Sequence, residues 1–266
     1  MSHYNKAFFN NISGVSRATA RKMIPYLINL ADPKSVVDVG CGTGAWLKTC
    51  KELGIVDLRG YDGDWAGALN ANSGFEFLPA DLSRSIHVDR RFDVAISIEV
   101  GEHLPEASAA TFVQSLVSLS DLIVFSAAIP RQGGTNHLNE QWPMFWMELF
   151  RGHGFVHYDC FRAEFWEDLE VDACVAQNTF LYVKEDSQHI SGATLDRIKL
   201  ASDARPIAIV NPRVFNDKLD LLTKNLDVME QFLTFKILMK MSPRLLRKSI
   251  IHHISRLLKI SNKVSN

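Results

Sequence analysis

The sequence predicts an α/β fold in which a mostly parallel central sheet is flanked by helices, followed by a helical C-terminal extension. Three observations support this prediction. Short apolar segments alternate with helical segments, and the first apolar segment ends in a turn with three glycines. The composition, 47% hydrophobic and 22% charged, is that of a globular chain with a buried core. Strands that alternate with helices in this way are typical of a parallel sheet between two helical layers.

Each element is predicted from a local pattern. Residues 17–31 place apolar side chains at helical spacing, and Pro33 ends that helix. Segment 35–40, SVVDVG, is a short β-branched run of the kind buried on both faces of a sheet. Further strands are predicted at 56–62, 75–82, 91–100, 121–128 and 178–185. Further helices are predicted at 45–54, 108–120 and 142–154.

The chain is predicted to have three parts. An α/β domain covers residues 1–185, a polar linker covers 186–215, and a helical extension covers 216–266. The stretch 155–177 is rich in aromatic and acidic residues and is predicted as a long excursion before the last strand. The four cysteines show no CxxC spacing, which argues against a zinc site or a disulfide framework. The absence of a secretory pattern and of an 18-residue apolar run predicts a cytoplasmic protein.

Charge is distributed unevenly along the chain. The net charge is −1, but residues 231–266 carry eight Lys/Arg and no acid. The preceding 230 residues hold 21 of the 29 basic residues and all 30 acids, a net charge of −9. Because phosphate contacts need a basic surface, the acidic body argues against DNA as a partner.

The C-terminal segment predicts a basic amphipathic helix. Its apolar stripe consists of Leu246, Ile250, Ile254, Leu257 and Leu258. Such a helix is typical of peripheral binding to a membrane surface, here the inner face, or of docking to a partner. Docking onto the protein's own acidic body, or packing in a dimer, is an equal alternative.

The turn after the first strand, VDVGCGTGAW at residues 37–46, is the main ligand-binding signature. Glycines at 40, 42 and 44 allow a tight turn and a close approach of the backbone to a ligand. The spacing G-x-G-x-G differs from the dinucleotide fingerprint, and Asp38 stands just before it. A carboxylate at this position would repel an anionic ligand and attract a cationic one.

In these residues the chain resembles the class I S-adenosylmethionine (SAM)-dependent methyltransferases, in which VDVGCGTG is the first motif. The resemblance implies a Rossmann-like fold and SAM as cofactor. It implies that Asp62 binds the ribose hydroxyls, that Asp81 and Leu82 meet the adenine, and that Ile98 packs on the cofactor. The full set of residues assigned to the cofactor site is Asp38, Gly40, Cys41, Gly42, Gly44, Asp62, Gly63, Asp81, Leu82, Ile98 and Glu99.

The segment IEVGEHL is a candidate metal-binding motif. Glu99, Glu102 and His103 stand at i, i+3 and i+4, which a helical turn brings to one side. The motif is similar to E-x-x-E-H sequences of ubiquinone-biosynthesis O-methyltransferases and of small-RNA terminal 2′-O-methyltransferases. That similarity implies a site for Mg²⁺ or another divalent cation, completed by His137. The alternative is a histidine that only caps a helix, as in related methyltransferases without a metal.

The segment GGTNHLNEQW, residues 133–142, is predicted to be the acceptor loop. It follows the strand next to the one that ends at Glu99, so both segments reach the same sheet edge. His137 and Glu140 are the candidate catalytic residues, with His137 acting as a general base or as a metal ligand. Trp142 is a candidate for stacking on a sugar or ring face, although core packing is the more common role of such an aromatic residue.

The expected function is O-methylation of a small acceptor, because a histidine with carboxylates suits removal of a hydroxyl proton. The segment FSAAIPRQGGTNHLNEQWP resembles small bacterial methyltransferases of polysaccharide and secondary-metabolite clusters, which implies a carbohydrate or glycan-precursor acceptor. Two alternatives are a 2′-O-methyltransferase acting on RNA ends and a non-catalytic SAM-binding scaffold. The acidic body argues against the first, and the complete set of motifs argues against the second.

Overall fold

A computed structural model describes residues 6–203 and 205–240, with side chains described from residue 14 to residue 230 apart from residue 204. The seven strands in this part of the chain are β1 (Ser35–Val39), β2 (Asp57–Asp62), β3 (Glu76–Pro79), β4 (Val94–Ile98), β5 (Leu122–Ser126), β6 (Phe155–Tyr158) and β7 (Phe180–Lys184). The α-helices are α1 (Lys6–Ala31), α2 (Ala45–Glu52), α3 (Gly67–Asn70), α4 (Ala109–Leu119), α5 (Pro143–Arg151), α6 (Cys160–Phe165), α7 (Ala173–Asn178), α8 (Gly192–Ala201) and α9 (Pro212–Lys240).

The strands form one sheet in the order β3-β2-β1-β4-β5-β7-β6. The first five strands in this order are parallel, and β7 runs antiparallel between β5 and β6. The prediction of a mostly parallel sheet flanked by helices is confirmed. The order reverses between β1 and β4, and in open α/β sheets ligands bind beyond the carboxyl ends of the strands at such a point.

Both faces of the sheet are buried, as the apolar run of β1 predicts. Val36 packs into a core layer with α1, while Val37 and Val39 point to the opposite layer with α4. Successive strand residues point to opposite faces, so a strand covered on both sides needs apolar side chains at every position. Asp38 is the one buried charged residue in this strand. Packing of the sheet does not explain a carboxyl at this position, so its role is sought in the adjacent glycine turn.

Two elements differ from the sequence prediction. The excursion 155–177 contains strand β6 and helices α6 and α7, and β6 pairs with β7 at the edge of the sheet. An edge strand of four residues has no clear apolar alternation, so its pattern is weak. Helix α8 lies within the segment predicted as a linker, where Ser191 caps its first turn and Ile198 is buried in the core.

The chain divides into two compact units, residues 1–211 and 212–266. The first unit therefore includes most of the segment 186–215. In the second unit the structure describes helix α9, and the predicted basic amphipathic helix with Leu246 to Leu258 lies outside the described residues. Among the described helices, none is long and apolar enough to cross a membrane.

Candidate active site

The glycine turn after β1 requires glycine for two reasons. Gly40, Gly42 and Gly44 all have positive φ, at 88°, 52° and 72°, a conformation that other residues adopt only with strain. A Cβ atom on Gly40 would lie 2.3 Å from Cγ2 of Val100, and one on Gly44 would lie 2.5 Å from the ring of Phe75. Neighbouring side chains therefore pack closely against the backbone of this turn at Gly40 and Gly44, and a larger residue would not fit at either position.

The carboxylate of Asp62, at the end of β2, holds the glycine turn in place. Its Oδ2 accepts a hydrogen bond from the Gly42 amide at 2.8 Å, and its Oδ1 accepts one from the Gly63 amide at 2.7 Å. Burial raises the pKa of Asp62, and these two amides act in the opposite direction. Asn70 holds the other side of the same residue, because its Nδ2 donates to the Gly42 carbonyl at 2.8 Å. No sequence motif indicated Asn70.

Asp38 is buried beneath the turn, and its Oδ2 has no hydrogen-bond partner among the described residues. Burial, together with the neighbouring charge of Asp62, raises its pKa well above the usual range. Cys41, in the turn itself, is a buried free thiol whose pKa is raised by burial. In the described part of the chain, no Lys or Arg forms an ion pair with any of the buried or half-buried acids at this edge: Asp38, Asp62, Glu99 and Glu102. Such an edge attracts a cationic ligand.

The structure places the remaining predicted cofactor residues around this edge. Ile98 is half-buried at the end of β4, and Leu82 is buried after β3. Asp81 is largely exposed, and its Oδ1 accepts hydrogen bonds from the amide and the hydroxyl of Ser83, at 3.0 and 2.6 Å. The Ser83 bonds lower the pKa of Asp81, with a smaller contribution from Arg84. Its Oδ2 lies 3.3 Å from Nε of Arg84, so both oxygens of Asp81 have partners within its own turn.

Glu102, His103 and His137 come together in space, as the sequence predicts. Their potential ligand atoms all lie within 4.8 Å of one another. The two imidazole rings meet edge to face, with centroids 4.9 Å apart. Glu102 is 0% exposed, and neither of its carboxyl oxygens has a hydrogen-bond partner among the described residues. Burial first, and the nearby Glu99 second, raise the pKa of Glu102. A buried carboxyl group without donors either holds its proton or has its charge compensated by a bound cation.

The acceptor loop is fixed to this cluster by its backbone. The amides of Leu138 and Asn139 both donate to the carbonyl of Glu102, at 2.7 and 3.0 Å. Gln141 donates its amide to the carbonyl of Ala128, which follows β5. These bonds bring His137 from a segment more than thirty residues further along the chain to the side of Glu102. The close approach depends on the loop and could not be derived from the spacing of E-x-x-E-H.

Glu140 orients the imidazole of His137. Its Oε1 lies 2.9 Å from Nδ1 of His137 and also accepts from the Gly133 amide, while its Oε2 accepts from the Arg131 amide. Burial acts to raise the pKa of Glu140, but these hydrogen bonds outweigh it and lower the pKa. An ionised Glu140 requires the proton of a neutral imidazole to be on Nδ1, which leaves Nε2 with a free lone pair. Nε2 lies over Gly134, where a Cβ atom would approach it to 2.1 Å.

Glu99 lies near Glu102 but is not part of the Glu102–His103–His137 group. Its backbone has a φ of 53°, and its two carboxyl oxygens accept hydrogen bonds from Gln132 and Asn178. The structure thus brings together three of the four predicted metal ligands. Gln132 and Asn178 were not indicated by the sequence, although Gln132 directly precedes the Gly-Gly of the acceptor loop.

These arrangements define what the edge can do chemically. One carboxylate and two imidazoles, all within reach of one point, are a donor set that suits a divalent cation. His137, with Nδ1 held by a carboxylate and Nε2 free, can also accept a proton from a hydroxyl group. The glycine turn and the unpaired acids suit a ligand that carries positive charge and approaches the backbone closely.

Comparison with known proteins agrees with this description. Residues 14–169, more than half of the chain, match the family model described as a methyltransferase domain. No curated protein sequence matches the chain. Among solved structures, an O-methyltransferase family protein from Burkholderia thailandensis is similar with a TM-score of 0.49 at 11% identity, covering 70% of this chain and 61% of its own.

Two further structures are similar. Magnesium protoporphyrin IX methyltransferase from Synechocystis PCC 6803, with bound SAH, has a TM-score of 0.43 at 20% identity and covers 59% of this chain and 80% of its own. The methyltransferase domain of bacterial-CtHen1-C has a TM-score of 0.46 at 16% identity and covers 63% of this chain and 97% of its own. On the strength of the family match, this chain belongs to the methyltransferase-domain family and is a class I SAM-dependent methyltransferase.

Proposed function

We propose that the protein is a SAM-dependent O-methyltransferase of a small hydroxyl-bearing acceptor, a carbohydrate or glycan precursor. The pairing of His137 with Glu140 carries this proposal. The pair lies on the loop after β5, at the same sheet edge as the glycine turn. A hydroxyl must lose its proton during methylation, and an imidazole held by a carboxylate is suited to accept it.

The glycine turn and Asp62 are proposed to hold the cofactor. SAM, when bound, supplies a methyl group on a positively charged sulfur. The backbone of the turn approaches the amino-acid end, and Asp62 has lone pairs left for the ribose hydroxyls beyond those used by Gly42 and Gly63. Asp38 lies buried beneath the turn with a raised pKa, and the positive charge of a bound cofactor would favour its ionised form. Asn70 acts by fixing the turn, and its Oδ1 has no partner among the described residues.

His137 is proposed to receive the acceptor's proton on Nε2. Glu140 keeps the Nδ1 proton in place and stabilises the imidazolium that forms. The anchoring of the loop to the Glu102 carbonyl fixes the height of the imidazole above the sheet edge. Much of the rate enhancement then comes from positioning, since methyl transfer requires the nucleophile in line at about 3 Å.

The surroundings of the loop favour a small, uncharged acceptor. Leu138 and Trp142, one and five positions after His137 in the chain, are 65% and 42% exposed, so the loop that carries the proton acceptor also presents two apolar side chains. An indole face can stack on the apolar face of a sugar ring. The unpaired acids at the edge would repel the phosphates of an RNA end, which makes the RNA alternative weaker.

As the alternative to the general-base role of His137, a divalent cation is proposed to bind Glu102, His103 and His137. The residues fit such an ion because Glu102 is fully buried and its oxygens lack hydrogen-bond partners among the described residues. When bound, a cation would supply positive charge that lowers the pKa of an acceptor hydroxyl. Glu99 is not included in this set, because both its oxygens are already bonded to amides.

Titration with Mn²⁺ tests the metal proposal. Binding is measured by the decrease in the electron paramagnetic resonance signal of the free ion. We expect the wild-type protein to bind one ion, and Glu102→Gln and His103→Ala to lower its affinity by about tenfold or more. Glu106→Gln is the matched control, since Glu106 is an exposed acid in the same segment. Equal binding by the wild type and both site variants would show that this cluster holds no cation.

Transfer of label from methyl-labelled SAM tests the proposed function. The protein is incubated with the small-molecule fraction and, separately, with the RNA and protein fractions of its source cells. We expect label in neutral or sugar-containing small molecules, in a bond that resists mild alkali as a methyl ether does. Label confined to RNA would favour the RNA alternative, and SAM binding without transfer to any fraction would favour the scaffold.

A further inference from the structure

Three buried amide side chains form a cluster beside the carboxylate of Glu99 and have no role in the function proposed so far. They are Gln132, directly before the acceptor loop, and Gln177 and Asn178 at the end of α7, and we call them the amide cluster. Buried amides are costly unless their donors and acceptors are satisfied, and an apolar side chain would fill the same volume at lower cost. Their presence beside the reacting edge therefore calls for a physical reason.

The hydrogen bonds of the amide cluster converge on Glu99. Asn178 Nδ2 donates to Glu99 Oε1 at 3.2 Å and to Gln132 Oε1 at 2.9 Å. Gln132 Nε2 donates to Glu99 Oε2 at 2.9 Å. Each carboxyl oxygen of Glu99 thus receives one amide N–H, and the two donors are bonded to each other. Two donors from different elements fix both the position and the plane of the carboxylate.

Glu99 is also held in an unusual backbone conformation. Its φ of 53° costs about 1–3 kcal/mol for a residue with a side chain. Its amide is retained by the carbonyl and the hydroxyl of Ser126 at the end of β5, at 3.1 and 3.0 Å. The next residue, Val100, packs against Gly40, so this bend lies directly beside the glycine turn. Strain of this kind persists where the surrounding structure enforces a particular direction of the side chain.

The partners of Glu99 are all neutral. No Lys or Arg in the described part of the chain forms an ion pair with it, and its oxygens lie outside the group formed by Glu102, His103 and His137. Neutral amide donors orient a carboxylate without cancelling its charge. Burial raises the pKa of Glu99, and the hydrogen bonds from Asn178, Gln132 and Ser126 act in the opposite direction, in favour of the carboxylate form that a cation at the end of β4 would meet.

We propose that Gln132 and Asn178 are positioning residues that aim the Glu99 carboxylate at the positively charged sulfur of SAM. The inference rests on the proposed function. In it, Glu99 recognises the positive charge of the sulfonium group and does not bind the metal ion. The inference also gives a role to Gln132, the residue that directly precedes the acceptor loop. The same side chain that orients Glu99 ties the start of the loop to the cofactor end of β4.

The inference predicts a selective loss of affinity, because SAM carries a sulfonium charge and S-adenosylhomocysteine (SAH) does not. Affinities for both ligands are measured by calorimetry in EDTA with the full-length chain. Gln132→Met and Asn178→Leu keep the approximate size of the side chain and remove the amide donors. We expect SAM to bind about tenfold more weakly to each variant and SAH to change by less than about twofold. Glu99→Gln should show the same selective loss.

Gln177→Met is the matched control. Gln177 is buried in the same cluster and bonds Asn178, but it does not contact Glu99. We expect its ratio of SAM to SAH affinity to equal that of the wild type. Thermal unfolding shows which variants are folded. If a variant of the amide cluster does not fold, Glu99→Gln, which is the mildest change, still tests whether the carboxylate discriminates SAM from SAH. Equal weakening of SAM and SAH, or none, in Glu99→Gln and the folded cluster variants would overturn the inference. A wild-type chain that binds neither ligand would contradict the proposed function itself.

Discussion

Replacement of His137 by alanine is expected to slow methyl transfer by ~10²–10⁴-fold and to leave SAM affinity unchanged. The imidazole is held by Glu140 and stands on the acceptor side of the sheet edge, so its loss removes the proton acceptor and not the cofactor contacts. The measurement compares single-turnover rates and calorimetric SAM affinities of the two proteins. His87→Ala, which removes an exposed imidazole from another part of the domain, is the matched control.

The response to EDTA separates the two roles open to His137. If His137 acts as the general base, wild-type activity is insensitive to EDTA while His137→Ala is inactive. If it acts as a metal ligand, wild-type activity is lost with EDTA and returns with Mg²⁺ or Mn²⁺, and Glu102→Gln is as damaging as His137→Ala. An alanine variant that turns over at the wild-type rate would show that the segment 133–142 is an ordinary surface loop.

Substitution of Asp62 by alanine is expected to weaken SAM binding by about 100-fold or more. The change removes the proposed contacts with the ribose hydroxyls and also the bonds that Asp62 accepts from Gly42 and Gly63. Hydrogen bonds to a charged group are each worth about 1.5–3 kcal/mol, and the loss of two corresponds to at least this factor.

Asp64→Ala is the control for this experiment, since Asp64 is an exposed acid two residues further along the chain. Its SAM affinity should match that of the wild type. Asp62 is a largely buried carboxyl whose pKa is raised by burial. Because the substitution removes this buried group, the thermal stability of Asp62→Ala is measured as well, to show that the variant is folded. Wild-type SAM affinity in a folded Asp62→Ala protein would show that the ribose is bound elsewhere.

The fold could be predicted where the sequence pattern is local. The run SVVDVG predicts β1, and the glycine spacing predicts the turn, because burial on both faces and positive φ each demand particular residues. Strand β6 was not predicted, because a four-residue edge strand is specified mainly by its pairing with β7. Helix α8 was not predicted, because its packing against α1 compensates for a mainly polar sequence.

The site could be predicted in outline for the same reason. Acids near the carboxyl ends of parallel strands reach the same edge of the sheet. Asp38, Asp62 and Glu102 could therefore be assigned to the edge that carries the glycine turn. The partners of Glu99 could not be predicted, since Asn178 is 79 positions away and reaches it only through α7. Asn70 likewise lies in a short helix without a motif, and only the folded turn shows its contact with Gly42.

A crystal structure of the protein with SAH would show directly where the cofactor binds. We expect the ribose hydroxyls to bond to Asp62 and the homocysteine end to lie along the glycine turn. We expect the sulfur atom to lie beside Ile98 and Glu99, with Nε2 of His137 facing it across the acceptor space. A nucleoside bound away from Asp62, or a His137 imidazole directed away from the sulfur, would contradict the proposed roles of these residues.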